Sequence, residues 1–246
     1  MTAAQDGAIL VASGIGKRFD ALVVLDAVDF TMRRDEAVGI VGPNGAGKTT
    51  LLNVLSGALK PNAGSVSFKG GDVTALSAAS RCRLGLGRTH QIPRPFGGMT
   101  VFENALVAAR HGAGLGKDVA YEQAAAALEL CGMTGLANRR AETLGLLDRK
   151  RLELARALAA KPDLLLLDEI GGGLTDAEAS ELVGTIGELR RRNMGIVWIE
   201  HIVHVLVRVA DRLICMDAGR IIADGTPETV MADPEVVRAY LGGGPK

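Results

Sequence analysis

Residues 42–49 read Gly42-Pro43-Asn44-Gly45-Ala46-Gly47-Lys48-Thr49, which satisfies the pattern GxxxxGK[ST]. The apolar run Val38 to Val41 precedes this stretch, and a helical pattern over Lys48 to Leu55 follows it. Glycines at this spacing let successive backbone N–H groups surround a phosphate, while the N-terminus of the helix points its positive end at the same anion. The order of strand, glycine-rich loop and helix therefore predicts a phosphate-binding loop in an α/β fold.

The residue types in the loop suit a nucleoside triphosphate with Mg²⁺. Lys48 would reach the β- and γ-phosphates, and Thr49 would give its hydroxyl to the metal. A glycine-rich turn that arose by chance is the alternative, and the flanking strand and helix argue against it. The predicted nucleotide-binding residues of the loop are Gly42, Pro43, Asn44, Gly45, Ala46, Gly47, Lys48, Thr49 and Thr50.

A second half of the site is expected at the end of another buried strand, since Mg²⁺ prefers hard oxygen ligands. The continuous apolar run Leu164 to Leu167 ends in Asp168 and Glu169. Asp168 would hold Mg²⁺ through water, and Glu169 would orient and polarise the attacking water, a general-base effect of order 10²–10⁴ in rate. An acidic pair that only caps a helix is the alternative, and it is hard to reconcile with a phosphate loop in the same chain.

The rest of the chain divides into three regions that differ in predicted secondary structure. The opening is β-rich, the middle is helical from about Val101 to Ala160, and α/β alternation resumes from Leu164. Thr175 and Glu178 form a capping box that predicts a helix to about Arg192. The predicted strands are 9–12, 24–32, 38–41, 164–167 and 195–199, and two late helices begin with proline after the caps Thr226 and Asp233.

Composition excludes several classes of protein. Basic and acidic residues number 28 each, so no net field draws the chain to nucleic acid, and we expect no nucleic-acid partner. The three cysteines form no zinc spacing and suit a reducing cytosol. No apolar run approaches the roughly 18 residues that a spanning helix needs, so we expect a cytoplasmic location.

Taken together, these motifs resemble the ATP-binding-cassette (ABC) ATPases, and the likeness covers nearly the whole chain. It is closest to the ATPases of branched-chain amino-acid importers. The residues that carry the likeness are Arg88-Thr89-His90-Gln91, Met99-Thr100-Val101-Phe102-Glu103-Asn104, Arg151-Leu152-Glu153-Leu154-Ala155-Arg156-Ala157-Leu158 and Gly219-Arg220-Ile221-Ile222-Ala223-Asp224-Gly225-Thr226-Pro227.

The resemblance implies one nucleotide-binding domain over residues 1–246. Its fold would be a RecA-like phosphate-loop NTPase core with an antiparallel β lobe and a helical lobe inserted over roughly residues 90–160. It would be an ATPase with ATP and Mg²⁺ as cofactors, peripheral on the inner face of the cell membrane, bound to membrane-spanning permease subunits. It also implies that Gln91 meets Mg²⁺ or the attacking water, that His201 contacts the γ-phosphate, and that Phe19 stacks on adenine. A core residue at a strand edge is the alternative for Phe19.

One segment departs from the family pattern. ABC ATPases pair head to tail, and each nucleotide lies between one phosphate loop and the partner's LSGGQ-type signature. The corresponding segment here, the signature segment, is Leu144-Gly145-Leu146-Leu147-Asp148. Leu147 brings a side chain where backbone approaches phosphate, and Asp148 brings a like charge. We therefore expect a heterodimer with a second ABC ATPase subunit rather than a homodimer.

The leading interpretation is an ATPase that powers import of branched-chain or other small amino acids. The alternatives are a catalytically weak regulatory nucleotide-binding subunit of a heterodimeric ABC transporter, and the ATPase of a lipid or polysaccharide exporter. The altered signature segment favours the regulatory alternative, while Lys48, Asp168, Glu169 and His201 oppose it.

Overall fold

The computed structural model of the chain describes residues 7–200 and 203–241. In those residues the strands are β1 (Ala8–Phe19), β2 (Leu22–Arg33), β3 (Ala37–Val41), β4 (Ala63–Phe68), β5 (Gly71–Asp72), β6 (Leu86–Arg88), β7 (Leu164–Asp168), β8 (Gly195–Ile199), β9 (Arg212–Asp217) and β10 (Arg220–Gly225). The α-helices are α1 (Lys48–Leu55), α2 (Ala78–Arg83), α3 (Val101–Val107), α4 (Lys117–Leu130), α5 (Leu146–Ala159), α6 (Asp176–Arg191), α7 (Val203–Leu206), α8 (Pro227–Met231) and α9 (Pro234–Leu241). Among these described helices, none has the length and apolar character needed to cross a membrane.

The strands form two sheets. A four-stranded antiparallel sheet has the order β2-β1-β4-β5, and a six-stranded sheet has the order β10-β9-β3-β8-β7-β6. In the second sheet the strands from β9 to β6 pair in parallel, and β10 pairs antiparallel at one edge. The expected α/β core with an antiparallel β lobe is confirmed.

The centre of the six-stranded sheet is buried on both faces. Every residue of β3, β7 and β8 is buried, as expected for apolar parallel strands covered by helices. Ile199 at the end of β8 pairs with Ile40 of β3 on one side and with Asp168 of β7 on the other. The phosphate loop after β3 and the acidic pair at the end of β7 therefore reach the same carboxyl edge of the sheet, where ligands bind in α/β folds.

The helical segment lies in sequence between β6 and β7. Its helices run from Val101 to Ala159, close to the pattern that the residues predict. A π-helical turn at Ala108–Gly112 follows α3, and short 3₁₀ turns at Thr134–Leu136 and Ala141–Thr143 precede α5. The residues that α4 buries recur at helical spacing, so one face packs inward: Ala120, Ala124, Ala127 and Leu128.

Side-chain caps fix the starts of several helices. The capping box of Thr175 and Glu178 at the start of α6 is confirmed, with both reciprocal hydrogen bonds present. The caps predicted for the late helices are also confirmed, because Thr226 and Asp233 accept backbone N–H groups at the starts of α8 and α9. A second capping box, built on Thr100 at the start of α3, was not anticipated.

A buried arginine anchors the far end of the helix that follows the phosphate loop. Arg81 in α2 has no exposed surface, and its Nη1 donates to the carbonyl oxygens of Val54 and Leu55 at 2.8 and 2.7 Å. These carbonyls lie in the last turn of α1, where the ladder of intrahelical hydrogen bonds ends, and the Val54 carbonyl also accepts the backbone N–H of Gly57. The guanidinium therefore satisfies the C-terminus of α1 and fixes it against α2.

Candidate active site

The phosphate loop depends on glycine at both of its ends. Gly42 has φ of 142° and Gly47 has φ of 99°, backbone angles that side chains disfavour. A Cβ at Gly42 would lie 2.0 Å from the carbonyl oxygen of Met216, and one at Gly47 would lie 2.8 Å from that of Val24. Residues with side chains cannot occupy either position without moving the backbone of the neighbouring strands.

A cavity of about 240 Å³ lies beside this loop. Its lining consists of Val24, Asn44, Gly45, Ala46, Gly47, Lys48, Thr49, Thr50 and Glu169. The loop residues 44–50 that the sequence predicts for nucleotide binding therefore surround one space, together with the predicted general base. The loop joins the N-terminus of α1, so backbone amides and the helix dipole make this space suitable for an anion.

Lys48 points back across the loop. Its Nζ donates to the carbonyl oxygens of Gly42 at 2.7 Å and Pro43 at 2.9 Å. Burial lowers the pKa of Lys48, while the charges of Glu169, Cys215 and Asp168 act in the opposite direction. Gly42 and Pro43, the two predicted residues of the loop itself that lie outside the cavity lining, accept these hydrogen bonds and hold Lys48 against the loop.

The two acidic residues take different positions. Asp168 ends β7, is buried, and its Oδ1 lies 3.4 Å from the Thr49 hydroxyl. Glu169 follows in a left-handed backbone conformation, with φ of 44°, and its N–H donates to the Ile199 carbonyl. This turn separates the carboxylates, so that Asp168 stays beside Thr49 while Glu169 reaches the cavity. The hydroxyl and carboxylate form a pair of hard oxygen ligands that fits Mg²⁺.

Gln91 joins the same group of residues. Its Nε2 donates to Oε2 of Glu169 at 2.6 Å, across 78 positions of sequence. The amide thus touches the predicted general base, while its oxygen remains an acceptor of the kind that a metal-bound water needs. Gln91 follows the edge strand β6, which pairs with β7, and this pairing accounts for its approach to Glu169.

Phe19 lies at the end of β1, opposite Leu22 of β2. Its side chain is 45% exposed, so the interpretation as a core residue at a strand edge is wrong. The Lys17 ammonium lies 5.1 Å from the centroid of the ring. Phe19 is outside the lining of the loop cavity, although Val24 of the same hairpin belongs to it. The adenine-stacking role stays a prediction.

His201 lies outside the described residues, so its predicted contact with the γ-phosphate stays a prediction. Glu200, the residue before it, is buried, and its Oε1 accepts the N–H of Gly171 at 2.7 Å. This bond ties the end of β8 to the loop that follows Glu169.

The structure adds an arginine that the motifs did not indicate as a site residue. Arg88, the last residue of β6, donates from Nη2 to Oδ2 of Asp168 at 3.1 Å. Its Nη1 donates to Asn53 Oδ1 at 2.6 Å and to Ser56 Oγ at 2.8 Å, both near the end of α1. The side chains of Arg88 and Asp168 are 12% and 3% exposed. Asp168 is thus held between Thr49 on one oxygen and Arg88 on the other.

We expect Arg88→Ala to lower the free energy of unfolding by about 1.5–3 kcal/mol, because it removes charged hydrogen bonds from a buried carboxylate. Arg88→Lys should recover only part of this, since one ammonium cannot reproduce the fork that reaches two elements. Denaturant unfolding measures the effect, with the exposed Arg83→Ala as the control. Equal stabilities for the Arg88→Ala and Arg83→Ala variants would contradict the assigned role.

The signature segment starts α5. Gly145 is the N-cap residue of the helix and, having no side chain, cannot cap it with a side-chain hydrogen bond. Leu146 is 46% exposed, and Asp148 forms an ion pair of 3.5 Å with Arg151 one turn further along. Arg151 also contacts Glu181 of α6. The negative charge of Asp148 is therefore partly balanced within the helix, and leucine side chains occupy the first turn.

A lysine on the same helix approaches the back of the acidic pair. Lys150 is buried, and its Nζ lies 3.5 Å from the backbone carbonyl oxygen of Glu169. Burial lowers the pKa of Lys150, and the charges of Glu200 and Glu169 oppose that shift. α5 thus brings a cation to the backbone of the predicted general base Glu169, a contact between distant residues that the sequence alone did not indicate.

His90 has no predicted role, yet it joins a cluster of polar contacts around the buried Glu153. His90 Nδ1 lies 3.2 Å from Oε1 of Glu153 in α5, and Oε2 of Glu153 accepts from Arg156 at 3.0 Å. Burial raises the pKa of Glu153, but the His90 hydrogen bond, the charge of Arg156 and the amide of Arg94 outweigh it. The net pKa of Glu153 lies below the usual range. This cluster joins the residues that follow β6, among them Gln91, to α5 of the helical segment.

Glu153→Gln should therefore lower stability near pH 7 by about 1.5–3 kcal/mol. A carboxylate with a depressed folded-state pKa stabilises above its unfolded pKa and loses that contribution as pH falls through the folded value. The difference between wild type and variant should shrink as the pH falls below about 4.5. Urea unfolding between pH 3 and 7 measures this, with the exposed Glu129→Gln as the control. A difference that stays constant with pH would count against the cluster.

Comparisons with known proteins agree with this geometry. The family model for the ABC transporter ATPase matches residues 25–171, and the model for the branched-chain amino acid ATP-binding cassette transporter matches residues 220–245. The chain is similar to the high-affinity branched-chain amino acid transport ATP-binding protein LivG of Salmonella typhimurium, with 38% identity over 95% of this chain and 98% of LivG. The lipopolysaccharide export ATP-binding protein LptB of Haemophilus influenzae is 34% identical over 95% and 97%. The structure of the ADP conformation of MJ1267, an ATP-binding cassette of an ABC transporter, matches with a TM-score of 0.86 and 31% identity over 96% of this chain and 99% of that one.

Proposed function

This chain belongs to the ABC transporter ATPases, and from that premise we propose that it powers the import of branched-chain amino acids. It binds and hydrolyses ATP as a subunit of such a transporter. The observation that carries the cargo assignment is the match of residues 220–245 to the branched-chain family model, which lies outside the general cassette match. LivG, the relative with 38% identity, supports the same cargo over nearly the full length of both chains.

Within one cassette spanning residues 1–246, the residues around the loop would share the work of hydrolysis. Lys48 moves from the loop carbonyls to the phosphates, where its charge offsets the charge that develops in the transition state. Glu169 accepts a hydrogen bond from the attacking water and aligns it. Gln91 positions Glu169 through the 2.6 Å contact, and His201 donates to the γ-phosphate. Phe19 offers its exposed ring to adenine.

The proposed metal ligands are Thr49, Asp168 and Gln91. Mg²⁺ bound there would supply charge stabilisation to the transferring phosphoryl group. Thr49 and Asp168 are already adjacent, at 3.4 Å between oxygens, and this donor set fits a hard divalent cation. Arg88 keeps Asp168 from turning away from Thr49. Nucleotide titrations with and without Mg²⁺ test this assignment, because loss of Asp168 should weaken binding only when Mg²⁺ is present.

The permease partner would dock beside Gln91. Ile92 is 72% exposed and Phe96 is 44% exposed, and Ile92 and Gln91 line a cavity of about 330 Å³. Arg156 of α5 lies over the Phe96 ring at 4.8 Å, so this patch touches the signature helix. Membrane-partner contact here would place the chain on the inner face of the membrane and reach Glu169 through Gln91.

The second ATPase subunit would differ in sequence from this chain. Leucine side chains in the first turn of α5 and the ion-paired Asp148 leave this chain's signature segment a poor phosphate ligand. A partner with an intact signature would complete the site at this chain's phosphate loop. The double variant Gly145→Ser with Leu147→Gly should raise ATP hydrolysis by the assembled pair. Unchanged hydrolysis in the assembled pair would remove the support for a heterodimer.

Two alternatives receive less support. A weakly catalytic regulatory subunit would not need Glu169 in the lining of the loop cavity with Gln91 hydrogen-bonded to its carboxylate. The similarity to LptB supports the second alternative, an exporter ATPase. The match to the branched-chain family model and the higher identity to LivG favour import instead.

Transport assays test the cargo. The chain would be reconstituted in liposomes with the permease subunits that copurify with it, and uptake of radiolabelled leucine would be compared with uptake of lysine. We expect ATP-dependent accumulation of leucine that unlabelled isoleucine and valine suppress. A complex that hydrolyses ATP but accumulates no leucine would contradict the cargo and leave the ATPase assignment in place.

A further inference from the structure

The C-terminal helix contacts the first residue of the phosphate loop. The backbone N–H of Gly42 donates to the hydroxyl oxygen of Tyr240 at 2.8 Å, across 198 positions of sequence. Tyr240 lies in the last turn of α9, an element that neither the glycine-rich motif nor the acidic pair includes. A side chain from the far end of the chain thus completes the hydrogen bonding of the loop.

The backbone N–H of Gly42 needs the Tyr240 oxygen as an acceptor because the closely packed strands around it offer few other acceptors. The residue is buried and directly follows β3, whose last residue, Val41, pairs with Cys215 of β9. The backbone of Met216 approaches so closely that even a Cβ would overlap it. A buried N–H without an acceptor is costly, so the Tyr240 oxygen accounts for the placement of this peptide.

The helix holds Tyr240 in place. Val236, one turn earlier on the same face, is 1% exposed and belongs to the hydrophobic core. Asp233 caps the start of the helix by accepting the N–H of Glu235 at 2.7 Å. Burial raises the pKa of the Tyr240 hydroxyl, and the charge of Cys215 raises it further. The hydrogen bond from the Gly42 amide lowers this pKa but does not cancel the rise. The hydroxyl therefore stays neutral at physiological pH. Tyr240 is therefore a fixed, neutral acceptor.

The geometry points to Tyr240 as a positioning residue for nucleotide binding, through which the C-terminal helix sets the conformation of the phosphate loop. The backbone of Gly42 is held at both of its polar groups, because its N–H donates to Tyr240 and its carbonyl oxygen accepts from Lys48. When Lys48 turns toward the phosphates, the Tyr240 bond still holds the start of the loop. The inference rests on nucleotide binding at this loop and is independent of the transported cargo.

Tyr240→Phe removes only the hydroxyl oxygen and keeps the ring. We expect the affinity for ATP to fall by about 5–30-fold, the range for loss of one hydrogen bond, although the Tyr240 side chain is partly exposed and the bond is only part-buried. Titration with a fluorescent ATP analogue measures it. The chain has two tyrosines, and Tyr121→Phe is the matched control because the Tyr121 ring packs against Phe102 at 5.4 Å in the helical segment. The control should bind nucleotide as wild type does.

Amide exchange separates positioning from a general loss of structure. In the nucleotide-free protein, the Gly42 amide should exchange faster in Tyr240→Phe than in wild type, while the amides of β7 and β8 keep their protection. Unchanged Gly42 exchange together with unchanged ATP affinity would overturn the inference, as would faster exchange throughout the sheet. This readout needs no nucleotide, so it distinguishes failure of the Tyr240 contact from failure of ATP binding itself.

Discussion

Replacing Glu169 with glutamine is expected to lower the rate of ATP hydrolysis by about 10²–10⁴-fold while ATP binding stays close to that of wild type. Glu169 lines the loop cavity, and its carboxylate already accepts a hydrogen bond from Gln91. Glutamine preserves the shape and can accept that bond, but it cannot take a proton from water. The loss should therefore appear in the turnover number and not in nucleotide affinity.

Phosphate release by the assembled transporter and equilibrium binding of ATP measure the two quantities separately. Glu188→Gln is a suitable control, because Glu188 lies on the surface of α6 and pairs with Arg191 and Arg192. Its variant should hydrolyse ATP at the wild-type rate. Retention of more than half of the wild-type turnover by Glu169→Gln would remove Glu169 as the general base.

Lys48→Ala is expected to weaken ATP binding by about 10–100-fold, which corresponds to the loss of a charged hydrogen bond to phosphate. Turnover should fall below detection, because the same ammonium stabilises the charge that develops on the transferring group. The variant also removes the donor that joins the Gly42 and Pro43 carbonyls, so the loop loses order as well as charge.

The binding titration should be repeated with Lys117→Ala, which removes an exposed lysine at the start of α4. That control should bind ATP like wild type. Comparable ATP affinity in the Lys48→Ala protein would show that the loop does not hold the triphosphate through this residue.

The parts of the site that could be predicted are those that adjacent residues encode. The phosphate loop needs glycines and a lysine at fixed spacing beside a strand and a helix, and all of these are local. The Asp168 and Glu169 pair follows a buried strand for the same reason, and parallel pairing then brings both motifs to one edge of the sheet. The caps at Thr175 and Thr226 were equally readable from short patterns.

The residues that sequence reasoning missed act through contacts between distant parts of the chain. Arg88 looks like an ordinary residue at a strand end, and only the pairing of β6 with β7 brings it to Asp168. Lys150 and Tyr240 reach the site from α5 and α9, elements whose packing no local pattern specifies. The strands β4, β5, β6, β9 and β10 were also not predicted, because several are short or only partly buried.

The central claim is that hydrolysis at the site formed by Lys48, Glu169 and Gln91 powers uptake of branched-chain amino acids. The most direct test is leucine uptake by liposomes that contain the complete transporter, with either the wild-type chain or Glu169→Gln. The account predicts that the variant complex assembles, binds ATP and accumulates no leucine above the level without ATP. Leucine uptake at the wild-type rate in the Glu169→Gln complex would contradict it.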